Sequence, residues 1–132
     1  MSRAPFPPLS FQQEEFLLNF SFQVLVTTGV ISLIRGGGGR IKSIGTMASG
    51  VSVVTLNTPY PPQMLWAVGS ANLVAAGVDG GHVEVDTESY SATAGTFNIR
   101  HCVAAGTVGN PVGTTRINCS IGFIGKKALR YT

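Results

Sequence analysis

Two segments near the C-terminus alternate between apolar and polar side chains. In residues 96–103 the apolar side chains of Phe97, Ile99 and Val103 share one parity. In residues 116–123 the inward set is Ile117, Cys119, Ile121 and Phe123. A two-residue period places one set on a buried face and the other toward solvent. The connector, residues 104–115, is rich in turn residues, so the pattern predicts an antiparallel pair joined by a loop.

Shorter segments of the same kind precede this pair. The predicted strands are Val51–Asn57, Met64–Val68 and His82–Asp86. In the second of them, Met64, Trp66 and Val68 share one parity, which predicts an interior Trp66. Short strands separated by Gly- and Pro-rich turns favour an all-β fold. We therefore expect an antiparallel, jelly-roll-like β-sandwich over residues 41–132.

Residues 1–40 are predicted to form an arm and an apolar hairpin. Prolines in residues 1–13 favour an extended arm lying on another surface, with terminal disorder as the alternative. Polar residues interrupt the apolar run 16–34, which favours a hairpin turning at Thr28-Gly29 over a membrane helix. The glycine run 36–39 predicts a hinge rather than a phosphate-binding loop. The expected partner-binding residues are Phe6, Phe11, Phe16, Phe20, Phe22, Val24 and Val26.

The chain is poor in charge. Charged residues make up 11% of it, against about 25% in a typical soluble domain. A small protein cannot hide its surface from water, so low charge indicates that partner chains cover part of that surface. The basic residues around 35–42 and 126–130 are not interleaved with aromatics, so nucleic acid is not an expected partner. The polar residues within 16–34 argue against a membrane as well.

The titratable residues suggest no catalytic site. Parity places Cys119 inward and Cys102 outward, so no disulfide between them is expected. One acidic stretch holds Asp79, His82, Glu84, Asp86 and Glu88. It is either a calcium site or a solvated strand face, and its spacing favours the face. His101 is expected to be an interior, hydrogen-bonded histidine. Without a Gly-x-Ser-x-Gly or His-Glu-x-x-His motif, we expect a protein that is not an enzyme and needs no cofactor.

Three segments resemble the β-structured tip domains of bacteriophage tail fibres. The first runs from Gly45 through Val54-Thr55-Leu56-Asn57-Thr58-Pro59-Tyr60-Pro61. The second is 89–100, with its Thr-x-Gly-x-Phe-x-Ile-Arg pattern, and the third is 117–125. The likeness spans about residues 45–125. It implies a compact β-sandwich, a homotrimer and a place on a virion.

The chain departs from the fibre-tip pattern before residue 45, where it has a short arm in place of a long shaft. A short arm suits a capsid decoration (cement) protein that binds the major capsid protein or another virion protein. The alternative is a fibre-tip or head-attached module that recognises a host-surface glycan, with Tyr60 and Tyr90 as contacts. Both expectations place the protein in the virion.

Overall fold

The computed structural model describes residues 15–73, 81–103, 106–111 and 113–126. These residues form eight strands and no helix: β1 (Glu15–Thr27), β2 (Val30–Gly36), β3 (Ile41–Ile44), β4 (Val51–Leu56), β5 (Gln63–Leu73), β6 (His82–Ser91), β7 (Thr96–Cys102) and β8 (Thr114–Lys126).

The strands form two four-stranded antiparallel sheets, ordered β2-β1-β8-β5 and β3-β4-β7-β6. The first sheet is called the β1–β8 sheet below, and the second the β4–β7 sheet. Early strands pair with late ones, β1 with β8 and β4 with β7. The predicted all-β antiparallel sandwich is confirmed.

The core lies between the two sheets and follows the two-residue period of the sequence. Inward side chains of β1 and β8 meet those of β4 and β7, as expected where one face of each sheet is apolar. The most deeply buried large side chains are Phe97, Phe123, Leu56, Ile99, Ile117 and Ile121. Phe20 stacks on Phe123 with ring centroids 5.7 Å apart.

The predicted pairing of the two C-terminal strands is wrong, although their inward faces are right. β7 pairs with β4 and β6, whereas β8 pairs with β1 and β5 in the other sheet. The connector therefore crosses between sheets instead of closing a hairpin. Period-two patterning fixes which side chains face inward, but it does not fix the neighbouring strand.

The β1–β2 hairpin is confirmed, but its predicted separation from the sandwich is corrected. Thr28 and Gly29 both have positive φ, as a two-residue type I′ hairpin loop requires. β1 then pairs with β8 along its whole length, from Glu15 to Thr27. Residues 15–40 thus belong to the sandwich, so the division at residue 40 does not separate them from it. Residues 1–14 of the predicted arm lie outside the described residues.

The glycine run is a hydrogen-bonded turn between the two sheets, not a hinge between domains. The Gly37 amide donates to the Ser21 carbonyl at 2.7 Å, and the Arg40 amide donates to Gly37 at 2.8 Å. The Asn57 side chain donates to the Gly39 carbonyl at 2.7 Å. These bonds connect the turn to β1 and to the residue after β4.

Candidate functional site

The outer face of the β1–β8 sheet contains a shallow groove of about 630 Å³. Its walls come from β1, β2, β5 and β8, whose outward side chains alternate with those of the core. The outward residues that line it are Ser21, Gln23, Arg35, Val68, Ser70, Asn118 and Ser120. We call this feature the outer-face groove.

Hydroxyl and amide groups bridge the strands beneath the outer-face groove. Ser21 Oγ and Ser120 Oγ are 2.6 Å apart, and Gln23 Nε2 donates to Asn118 Oδ1 at 2.6 Å. Asn118 Nδ2 in turn donates to Ser70 Oγ at 3.3 Å and to Asn72 Oδ1 at 3.2 Å. This network holds the groove's polar side chains in place across three strands.

Trp66 lies on the outer face beside the groove, so the predicted interior position is wrong. The register shifts between Met64 and Trp66, and this bulge breaks the parity that the sequence suggested. Trp66 is paired with Gly122 and is 39% exposed. A Cβ on Gly122 would overlap the indole, so the ring lies against the backbone of β8. Two residues along β5, Val68 continues this surface into the groove and is 61% exposed.

The two outer faces of the sandwich differ in charge. Arg35 is the one charged residue among those lining the outer-face groove. Glu84 and Asp86 lie instead on the outer face of the β4–β7 sheet, beside Arg100. Arg100 Nη2 is 3.1 Å from Asp86 Oδ2, so one of these acids is already paired. The groove therefore offers hydrogen bonding and a single positive charge, and Trp66 beside it offers an aromatic surface.

Tyr60 and Tyr90, the expected glycan contacts, pack against the core instead of standing free. Both are partly buried, and the ring of Tyr60 covers Gly95. Tyr90 contacts Phe123 with ring centroids 5.1 Å apart, and its hydroxyl donates to the Pro61 carbonyl. Burial, and secondarily the neighbouring Tyr60, raise the pKa of Tyr90 to about 12.

Of the predicted partner-binding residues, four lie in or against the sandwich core, and the side chains of the other three lie outside the described part of the chain. Phe22, Val24 and Val26 are buried in the sandwich core, so their assignment as arm contacts is corrected. Phe20 is partly buried against the same core. These side chains fill the space between the chain's own two sheets, because β1 is a central strand. Phe6 and Phe11 lie outside the described residues, as does the side chain of Phe16.

The thiols and His101 are interior groups. Both cysteines are free and buried, which corrects the outward placement of Cys102. Cys102 and Val108 form an isolated antiparallel backbone β-bridge, so the chain after β7 folds back over the cysteine. Burial raises the pKa of the Cys119 thiol to about 12. His101 is buried as predicted, with Nδ1 2.7 Å from the Gly109 carbonyl oxygen.

Within the described ranges, no group of three His, Cys, Asp or Glu residues could hold a metal ion, and Asp79 falls outside them. The same part of the chain contains no helix of the length and apolarity that crossing a membrane requires.

Sequence reasoning overlooked the outer-face groove. The polar residues between apolar ones in 19–23 and 116–120 marked two solvent-facing strand sides. The missing information was that β1 and β8 are neighbours, which brings the two polar rows together.

A comparison of the chain with protein-family models, curated proteins and solved structures finds no match.

Proposed function

We propose that this chain is a non-enzymatic structural protein of a phage virion, a homotrimeric decoration protein that binds the capsid through its N-terminal segment. The observation that carries the proposal is a complementarity between the two edges of the sandwich. β5 and β6 contact each other at one edge, so β2 and β3, at the other ends of the two strand orders, form the opposite edge.

The apolar part of this complementarity lies in the β1–β8 sheet. Its two outer strands expose large apolar side chains at the edges of the sandwich, Val30 and Ile34 on β2 and Leu65 on β5. Outer strands also present unpaired backbone groups, which makes them natural sites for contact with another chain.

The charged part lies in the β4–β7 sheet. Arg40 directly precedes β3 and Lys42 lies within it, whereas Glu84 and Glu88 are exposed on β6. An edge with apolar and basic side chains therefore faces away from an edge with apolar and acidic ones. Packing the first edge of one copy on the second edge of the next matches both features, and such head-to-tail contacts can close into a ring.

Attachment to the capsid is assigned to the segment before β1. Because Phe20, Phe22, Val24 and Val26 serve the chain's own core, Phe6 and Phe11 remain as the strongest apolar candidates for contact with a shell protein. Full burial of each would contribute about 1.5–3 kcal/mol. The resemblance of residues 45–125 to fibre tips supports the virion as the location.

The test is the binding of full-length protein to particles of the encoding phage assembled without it. The double variant Phe6→Ser/Phe11→Ser is expected to bind at least about tenfold more weakly than the wild type. The control is Gln12→Ser/Gln13→Ser, which changes polar residues of the same segment and should bind normally. Equal binding by all three proteins contradicts attachment through this segment. Only a handful of copies on a native particle contradicts a decoration role.

A further inference from the structure

We infer that the outer-face groove, with Trp66 at its side, binds a glycan. This inference concerns a different surface from the edge contacts of the proposed trimer. It begins from the composition of the groove, whose outward side chains are mostly hydroxyls and amides. Such groups both donate and accept hydrogen bonds, as sugar hydroxyls do.

The second step is the position of the only tryptophan in the chain. The indole of Trp66 lies against Gly122, where the absence of a side chain leaves room for it. Its 39% exposure leaves part of the ring open to solvent. A sugar ring has an apolar C–H face and a rim of hydroxyls, so it can contact an aromatic ring and polar groups at once.

The third step is the continuity between the ring and the groove. Trp66 and Val68 lie two residues apart on the outer side of β5, and Val68 shares the groove wall with Ser120 and Asn118. An apolar surface thus leads directly into a row of hydroxyl and amide groups. Ligand sites commonly combine an apolar surface with a few positioned polar groups.

The fourth step is the preorganisation and charge of the site. The Ser21–Ser120 and Gln23–Asn118 contacts at 2.6 Å link β1 to β8, so these groups are oriented before a ligand arrives. The groove lining contains no acidic side chain, and Arg35 supplies one positive charge. A neutral sugar, or one bearing a carboxylate, fits this lining, whereas a polyphosphate would require more cationic groups.

The test uses full-length protein on an array of neutral and carboxylate-bearing glycans. The sugar that binds is then titrated while the fluorescence of Trp66 is recorded. We expect saturable binding with a shift in that emission, because no other tryptophan contributes. Trp66→Ala should weaken binding about tenfold, and Trp66→Phe should weaken it less. Since Trp66 is on the surface, circular dichroism should show that both variants keep the fold.

The matched control is Val53→Ala, which removes an exposed apolar side chain from β4 in the other sheet and should leave sugar affinity unchanged. Gly122→Ala should weaken binding because its new Cβ displaces the indole. Three results overturn the inference: no glycan on the array binds, binding survives Trp66→Ala, or any polyanion binds and moderate salt abolishes it. None of them bears on the trimer, which is measured by mass.

Discussion

At the scale of single residues, Trp66 shows how a local irregularity changes a functional assignment. Its parity with Met64 and Val68 predicted an interior ring, but the bulge after Met64 turns it outward. Tyr60 and Tyr90 show the reverse case, because they are expected to be exposed contacts but both pack on the core. A bulge depends on how a strand meets its neighbours, so one strand's sequence does not reveal it.

The buried thiol of Cys119 predicts a loss of stability in alkali. Burial raises its pKa from 9.0 to about 12, so the folded protein keeps a proton that the unfolded chain releases above pH 9. The contribution of the protonated thiol to the free energy of unfolding is complete below pH 9. It declines as pH rises toward 12, by up to about 1.4 kcal/mol per pH unit. Urea unfolding of wild type and Cys119→Val at pH 8, 9 and 10 checks this.

Valine is a suitable replacement because Cys119 lies between inward-facing Ile117 and Ile121 on β8. The variant should lose less stability than the wild type between pH 9 and 10. Tyr90, whose pKa is also about 12, adds its own loss only above its ordinary value of 10.0. If wild type and variant lose the same free energy of unfolding from pH 9 to 10, the thiol does not titrate as described.

At the scale of elements, β1 is a central strand of the sandwich, and this can be tested within the strand. Phe22 is 3% exposed and Leu17 is 54% exposed. Phe22→Ala should lower the free energy of unfolding by about 3–5 kcal/mol, because it leaves a cavity between the sheets. Leu17→Ala, the control, should change it by no more than about 0.5 kcal/mol. Denaturant unfolding of full-length protein measures both.

If residues 1–40 were instead a separable arm, the same measurement would give the opposite result. If β1 served mainly to dock on a neighbouring protein, Phe22→Ala would leave the isolated chain's stability nearly unchanged. A small effect at Phe22 would therefore restore the division of the chain at residue 40.

The strands and their inward faces could be predicted from the sequence, whereas their neighbours could not. Alternation marked β4, β6, β7 and β8, and Thr28-Gly29 marked the first hairpin. Side-chain period is local, but the pairing of β1 with β8 joins residues about a hundred positions apart. For that reason the sequence alone predicts a partner surface for the apolar run 16–34 and does not reveal the groove between β1, β8 and β5.

At the scale of the whole molecule, the low fraction of charged residues reflects apolar residues in two places, the core and the surface. Part of the apolar content lies in the chain's own core, including the β1 residues that were expected to dock elsewhere. The remainder is on the surface, concentrated on the outer strands β2 and β5. The proposed trimer accounts for the exposed edge residues Val30, Ile34 and Leu65 and for the basic and acidic edges, whereas Trp66 and Val68 belong to the outer face.

The most direct test of the trimer is the molar mass of the full-length protein in solution, measured by sedimentation equilibrium over a range of concentrations. The predicted mass is three times that of the 13.8 kDa chain. Lys42→Glu, which gives both edges acidic residues, should shift the protein toward the single-chain mass. A wild-type protein that stays folded at the single-chain mass at every concentration would contradict the account.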